Sequence, residues 1–369
     1  MNNPAHSDKY ATLDGLRGIA AVLVVMYHYS NLFSPFHVEN AYLVVDLFFV
    51  MSGFVVASAY ESKLASGSMG PRRFMQVRLI RLYPLYLLGT LLGVAGTLLR
   101  LPRTEWHLVA TALPLALLML PSPLRIANPD GQVPQLLYPL NFPSWSLFFE
   151  LLANVAYGFC FRFLSTRVLL AVVATSGLML AGKAVHSGSI NSGWALASSH
   201  IGLVRVAYGF FFGVLLFRLR SARRRTGNAI PLGIAALFVA IFLVPIPEAM
   251  RAAYTLSVVL FAIPALVWVA ASVEPSRRVR DVFLFFGTVS YGIYMLHVPV
   301  PALFRVTQGL SPHASLVHTL AFDAGLLASV VLAAALAEKI YDRPIRRLLL
   351  QGTGYRRRHA GIGAAPINQ

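Results

Sequence analysis

Eleven apolar runs, most of them near the length that crosses lipid, constrain this chain more than any other feature. They cover 14–33, 42–62, 79–99, 108–121, 144–163, 167–184, 201–219, 230–246, 252–272, 283–306 and 315–341. Hydrophobic residues make up 57% of the chain and charged residues 12%, against about 25% charged in an average soluble domain. The pattern predicts an all-α, polytopic integral membrane helical bundle. No soluble domain and no repeat is visible, so 1–351 reads as one transmembrane domain. A polar basic tail, 352–369, is expected to be disordered.

Charge fixes how such a bundle sits. The formal charge of +17 falls in short basic clusters between apolar runs, the pattern that encodes membrane orientation rather than nucleic-acid binding. The heaviest basic loops, Lys63 to Arg81, Arg218 to Arg225 and Arg277 to Arg280, together with the tail Arg343 to Arg358, are expected to face the cytoplasm. Only an even number of crossings separates two loops on one side, yet five runs lie between Arg81 and Arg218. The run 108–121 is short, contains Pro114 and ends in Pro121-Ser122-Pro123, so it reads as a re-entrant or surface segment. About ten spanning helices remain, with both termini cytoplasmic. Met1 to Tyr10 has no apolar signal core, so the first hydrophobic segment is expected to stay as a helix. The single cysteine, Cys160, forms no intramolecular disulfide and reads as a packing residue.

Ionisable residues inside the apolar runs point to chemistry. Arg17 and His28 lie eleven residues apart, which at about 100° per residue puts them on one helical face and about 16 Å apart along the axis. On the run boundaries above, His28 is roughly 8 Å from the outer end of its helix. Asp46, Glu150 and His297 fall at a similar depth on three other helices. Charges in lipid cost several kcal/mol unless paired or facing water, so four such groups at one level suggest an interior polar site. On the cytoplasmic side, Arg72, Arg73, Arg78 and Arg81 form an array suited to phosphates, and Asp14 with Arg17 stands at the same surface. Each feature also has a plain reading. Basic clusters anchor helices to headgroups, a histidine or carboxylate can serve interhelical hydrogen bonding, and Ser290, Tyr294 and His297 share a face as packing residues do. No metal is expected, because the histidines lack ligand spacing.

In order along the chain stand Leu13-Asp14-Gly15-Leu16-Arg17-Gly18 with ten residues between Arg17 and His28, then Asp46-Leu47-Phe48-Phe49-Val50-Met51-Ser52-Gly53-Phe54. Arg78-Leu79-Ile80-Arg81-Leu82-Tyr83-Pro84, Trp145-Ser146-Leu147-Phe148-Phe149-Glu150 and Ser290-Tyr291-Gly292-Ile293-Tyr294-Met295-Leu296-His297 follow. This ordered set resembles the membrane acyltransferase-3 family over nearly the whole chain. The resemblance implies an acyl-CoA-dependent O-acyltransferase in the plasma (inner) membrane of a bacterium. It would take acetyl or another acyl group from acyl-CoA, a donor substrate rather than a resident cofactor, and deliver it to a hydroxyl of an extracytoplasmic saccharide. A cell-surface polysaccharide, an exopolysaccharide or a lipid-linked precursor would fit. By position, His28 matches the family's essential histidine, Arg17 its partner arginine, and Arg78 and Arg81 the pair associated with the coenzyme, while Glu150 and His297 match motif positions of less settled role.

His28 is thus expected to act as a general base, with Asp46 or Glu150 orienting its ring, or as an acyl relay. Arg17 would stabilise the thioester oxyanion or hold the pantetheine arm. Asp14, Arg72, Arg73, Arg78 and Arg81 are the expected coenzyme contacts, and Trp145, Ser146, Tyr291, Tyr294 and His297 the expected acceptor contacts. Tyr42, Tyr138, Phe142 and Trp145 could stack on sugar faces at the outer mouth, although aromatic residues also anchor membrane interfaces. Partners are membrane lipids, acyl-CoA and the acceptor, with no nucleic acid; the sequence indicates no oligomeric state. The alternatives are acylation of a small molecule such as a macrolide, or a transporter or flippase whose buried charges line a path.

Overall fold

Local start and stop signals, rather than apolar length alone, set where the helices begin and end. The computed structural model describes residues 10–30, 33, 38–126, 135–220, 224–303 and 316–352. The first six helices are α1 (Ala11–His28), α2 (Val44–Ala65), α3 (Pro71–Arg100), α4 (Trp106–Leu117), α5 (Ser144–Cys160) and α6 (Thr166–Ser187). There follow α7 (Ser199–Arg218), α8 (Ala229–Leu243), α9 (Arg251–Ser257), α10 (Ile263–Ser272), α11 (Arg277–Leu296), α12 (Pro299–Leu303), α13 (Leu316–Ala337) and α14 (Arg343–Gly352). One-turn π segments, Val258–Ala262 and Glu338–Asp342, join α9 to α10 and α13 to α14.

The chain is an all-α bundle, and among the described residues nine helical stretches are long and apolar enough to cross a membrane. The 12-residue α4, with Pro114 inside it, is not one of them. α8, 15 apolar residues, falls short of that length. Two-residue strands β1 (Arg224–Arg225) and β2 (Val273–Glu274) pair in parallel, Arg224 opposite Val273. The chain therefore returns to its starting face between them, and α8 must cross if the long Glu248–Ser272 stretch does.

Four boundaries depart from the sequence reading. The helix expected at 79–99 begins at Pro71, because Gly70 followed by proline at the first helical position is a start signal; the arginines from Arg72 to Arg81 are thus helical rather than in a loop. The first helix ends at His28 instead of running to 33, so His28 is its last residue. The run 283–306 breaks after Leu296, since Pro299 disfavours helix before it, and restarts as α12. The last helix continues past 341 to Gly352. Beyond that residue, the tail expected to be disordered lies outside the described residues. Cys160 is exposed on the bundle's exterior rather than packed inside it.

Close backbone approach holds two helix pairs together. A Cβ on Gly15 or Gly18 of α1 would collide with Phe283 or Phe286 of α11, and one on Gly287 with Asp14. On the second pair, Gly53 of α2 sits against the Phe210 carbonyl and Gly213 of α7 against that of Val50. In lipid, where apolar faces gain nothing from leaving water, such small-residue contacts are what let helices associate.

One face of the bundle gathers Tyr10, Ser58, Glu61, Arg218 and Glu274. The Ser58 hydroxyl reaches Tyr10 at 3.4 Å, the Ala11 amide reaches Glu274 at 3.3 Å, and Arg218 pairs with Glu61 at 2.7 Å. The opposite face joins Asn40 to the Val244 carbonyl at 2.9 Å and Asn191 to the Tyr27 hydroxyl at 3.0 Å. We refer to these as the N-terminal face and the far face.

Candidate active site

Parallel packing of α1 on α11 creates two polar levels. At the lower one, Arg17 pairs with Asp14 at 2.7 Å and donates to the Gly287 carbonyl at 2.6 Å and to the Ser290 hydroxyl at 3.0 Å. Its side chain keeps 30% of its exposure, so this charge is anchored without being sealed.

At the upper level the two helices end on histidines. His28 closes α1, and His297 caps α11, their rings 5.0 Å apart between centroids. The ring of His28 is also edge-on to Tyr27 at 5.3 Å and to Phe142 at 5.5 Å, while its side chain remains open to the surroundings. His297 is fully buried. Its Nδ1 lies 2.7 Å from the Tyr294 carbonyl, which can only accept, so Nδ1 carries the proton and Nε2 is the basic atom. That Nε2 has no hydrogen-bond partner among the described residues. Tyr29, following His28, donates its hydroxyl to the His297 carbonyl at 3.1 Å and ties the two helix ends together.

The carboxylates expected to orient His28 are engaged elsewhere. Asp46 is buried and accepts two bonds from Arg205, at 3.0 and 2.8 Å. Arg205 also donates to the carbonyls of Ser192 and Tyr42 and lies over Trp145. Glu150 accepts from the Ser52 hydroxyl at 2.6 Å and from Arg78 at 2.9 Å, and Arg78 donates in addition to Asn154 at 3.0 Å. A carboxylate in an apolar interior must find a cation or donors, and each found its own arginine before reaching the histidine.

Of the remaining arginines, Arg81 faces the buried Asp342 at 3.6 Å and lies over the Tyr291 ring. Asp342 is shared with Arg346, which also meets Glu338. Arg72 is exposed on the first turn of α3, and Arg73 beside it donates to Gln76 at 2.6 Å. The Tyr291 hydroxyl donates to the Leu82 carbonyl, away from the mouth. Tyr294 is nearer the histidines, its ring 5.8 Å from His297 and its hydroxyl 2.6 Å from that of Ser146.

Among the aromatic residues expected at the mouth, Tyr42, Tyr138 and Trp145 are buried. Tyr138 donates to the Met119 carbonyl at 2.7 Å, and burial raises its pKa far above the ordinary tyrosine value. Phe142 remains accessible beside His28, with Trp194 next to it at 6.1 Å. Trp194 and Arg205 were missed by the sequence reading. Arg205 carried a signal, as a lone arginine in the apolar run 201–219; Trp194, in a loop between helices, carried none. Among the described residues no group of three or more His, Cys, Asp or Glu could hold a metal ion.

A family model described as an acyltransferase domain matches residues 10–338. "Protein 2 in picA locus" of Rhizobium radiobacter is 37% identical over 162 residues, covering 41% of this chain and 81% of that protein. No solved structure matches the chain significantly. Both polar levels fall within the matched span, and the chain belongs to the acyltransferase-3 family of membrane acyltransferases.

Proposed function

We propose that the protein is an acyl-CoA-dependent O-acyltransferase of a bacterial inner membrane. It moves acetyl from acetyl-CoA on the cytoplasmic side to a hydroxyl of an extracytoplasmic saccharide, a surface polysaccharide or its lipid-linked precursor. The observation that carries this reading is the line formed by α1, with Arg17 anchored toward the N-terminal face and His28 open at the far-face mouth. A transferase joining two compartments needs a donor hold at one level and a base at another.

The donor side supplies cations. Arg72 and Arg73, on the first turn of α3, meet the coenzyme's phosphates, for which guanidinium forks are suited. Arg78 and Arg81 stand further along the same helix, each with a carboxylate partner, so a phosphate binding them must exchange with Glu150 or Asp342. About 16 Å separates Arg17 from His28 along the helix, too far for Arg17 to touch a carbonyl reacting at His28. Arg17 with Asp14 therefore holds the pantetheine arm.

At the mouth, the acceptor hydroxyl is a poor nucleophile until a base within hydrogen-bond reach takes its proton. His28 is that base. Its free lone pair accepts the proton as oxygen attacks the acyl carbon; the carbon–sulfur bond breaks, and the thiolate leaves with the proton returned from His28. In the relay form the His28 nitrogen attacks the acyl carbon and the thiolate leaves; the hydroxyl oxygen then takes the acyl group as its bond to nitrogen breaks, and the hydroxyl proton passes by way of the freed His28 nitrogen to the thiolate. Phe142 and Trp194, flanking His28, offer an aromatic surface to a sugar ring.

The test is transfer of radiolabelled acetyl from acetyl-CoA into saccharide and lipid-linked fractions of membranes carrying wild-type protein or His28→Ala at matched abundance. Wild type alone should label the acceptor, and the variant should lose on the order of 10²- to 10⁴-fold, the usual worth of a general base. Substantial transfer by the variant would sink both versions. Substrate movement without thioester consumption would favour a transporter.

A further inference from the structure

Among the described residues, the pairing of Asp46 with Arg205 and of Glu150 with Arg78 leaves His28 without the carboxylate that a catalytic imidazole commonly uses to fix its tautomer. What stands behind it instead is a second imidazole. His297 is fully buried, its Nδ1 proton is committed to the Tyr294 carbonyl, and its Nε2 lone pair has no partner among the described residues. A buried acceptor without a donor is costly and uncommon in native proteins. Two imidazoles joined N–H to N through a bond of about 3 Å have their centres roughly 5 Å apart, and the rings here are 5.0 Å apart between centroids. A small reorientation of the open His28 side chain closes that bond. Such bonds are often loose before substrate binds.

We propose that His297 is the positioning residue of His28: its Nε2 accepts the N–H of one His28 ring nitrogen and leaves the other lone pair facing the acceptor hydroxyl. The inference rests on His28 being the base or relay, and it holds for either route, since both need one free nitrogen and one anchored N–H. As the hydroxyl proton moves to His28, positive charge grows on its ring and the bond to His297 strengthens. Both histidines stand at helix C-termini, where the macrodipole and unpaired carbonyls favour that charge. The proton leaves on the thiol, and His297 is unchanged over the cycle. A chain of donors results: acceptor hydroxyl to His28, His28 to His297, His297 to the Tyr294 carbonyl.

The plain alternative is that His297 only caps α11 through Nδ1. Two substitutions separate the readings because they preserve opposite nitrogens. In His297→Asn the amide nitrogen overlays Nδ1 and keeps the cap while removing the acceptor at Nε2; in His297→Gln the amide oxygen reaches the Nε2 position while the cap is weakened. Positioning predicts that the Asn variant loses on the order of 10²-fold in kcat, with the KM for acetyl-CoA within about twofold of wild type, a split that losing only the cap would not give. It also predicts that the Gln variant transfers faster than the Asn variant. The assay is radiolabelled acetyl transfer from acetyl-CoA to endogenous acceptors in membranes, normalised to folded protein in detergent. The reverse order, Asn near wild type and Gln impaired, would overturn the proposal, as would both near wild type. If the Asn variant does not accumulate, Gln alone decides: a rate no higher than the His28→Ala background would contradict positioning. His28→Ala serves as the reference. If it is inactive and the Asn variant active, only this inference fails; if it is itself active, the reading of His28 fails.

Discussion

Arg205 has exchanged water for the carboxylate of Asp46, two backbone carbonyls and the face of Trp145, and only 1% of it remains exposed. Removing one partner of a buried pair strands the other charge, at a cost of about 3–5 kcal/mol. Arg205→Met should therefore lower thermal stability in detergent sharply, and Asp46→Leu added to it should restore part of the loss. Equal stability of single and double variants would show that the pair is not coupled. Residues of this kind are legible in sequence by type but not by partner. Asp46, Glu150, Arg17 and His28 stood out as ionisable groups in apolar runs. Nothing local could say that Asp46 would meet Arg205, 159 positions away, rather than His28. The helix end was not legible either: the apolar run continues to 33, while His28 is the last helical residue and the chain turns at Tyr29.

For the elements, helix pairing depends on missing side chains. Gly53→Val would press against the Phe210 carbonyl in the α2–α7 contact, a backbone atom with nowhere to move. Overpacking costs about 1–3 kcal/mol in a core, so this variant should accumulate poorly in membranes. Gly182→Ala in α6 meets nothing within 4 Å, and it should be neutral or stabilising by up to about 1 kcal/mol. Similar losses at both positions, read as folded protein per cell and as thermal midpoint, would contradict the packing described. The helices themselves were largely readable from apolar length, and the weakness of 108–121 from its proline and shortness, which α4 repeats at 12 residues. Boundaries were less so. The start at Pro71 was available in the Gly70-Pro71 step. The continuation past 341 to Gly352 was not, because buried ion pairs of Arg346 with Glu338 and Asp342 hold polar residues in helix where composition argues against it.

Across the whole molecule, contacts between distant parts of the chain bear on the expected orientation. The N-terminal turn meets Glu274, the two basic loops pair through Arg224 and Val273, and Arg81 meets Asp342 near the chain's other end. Cysteine labelling tests the arrangement. With Cys160 replaced by Ala, Ser187→Cys should react with an impermeant maleimide in intact cells, and Ser66→Cys only after the membrane is opened; the reverse pattern would invert the orientation. Acceptor identity was never legible, since the residues that sequence suggested at the outer mouth are mostly buried and the accessible pair, Phe142 and Trp194, offers an aromatic face of a kind common to many acceptors.

The most direct measurement is acetyl transfer in sealed vesicles of both orientations, with radiolabelled acetyl-CoA supplied only from outside. Vesicles exposing the N-terminal face should label acceptor enclosed on the far side, and His28→Ala vesicles should not. Equal labelling from either face, or label with His28→Ala, would contradict a transferase that takes its donor beside Arg17 and completes the reaction at His28.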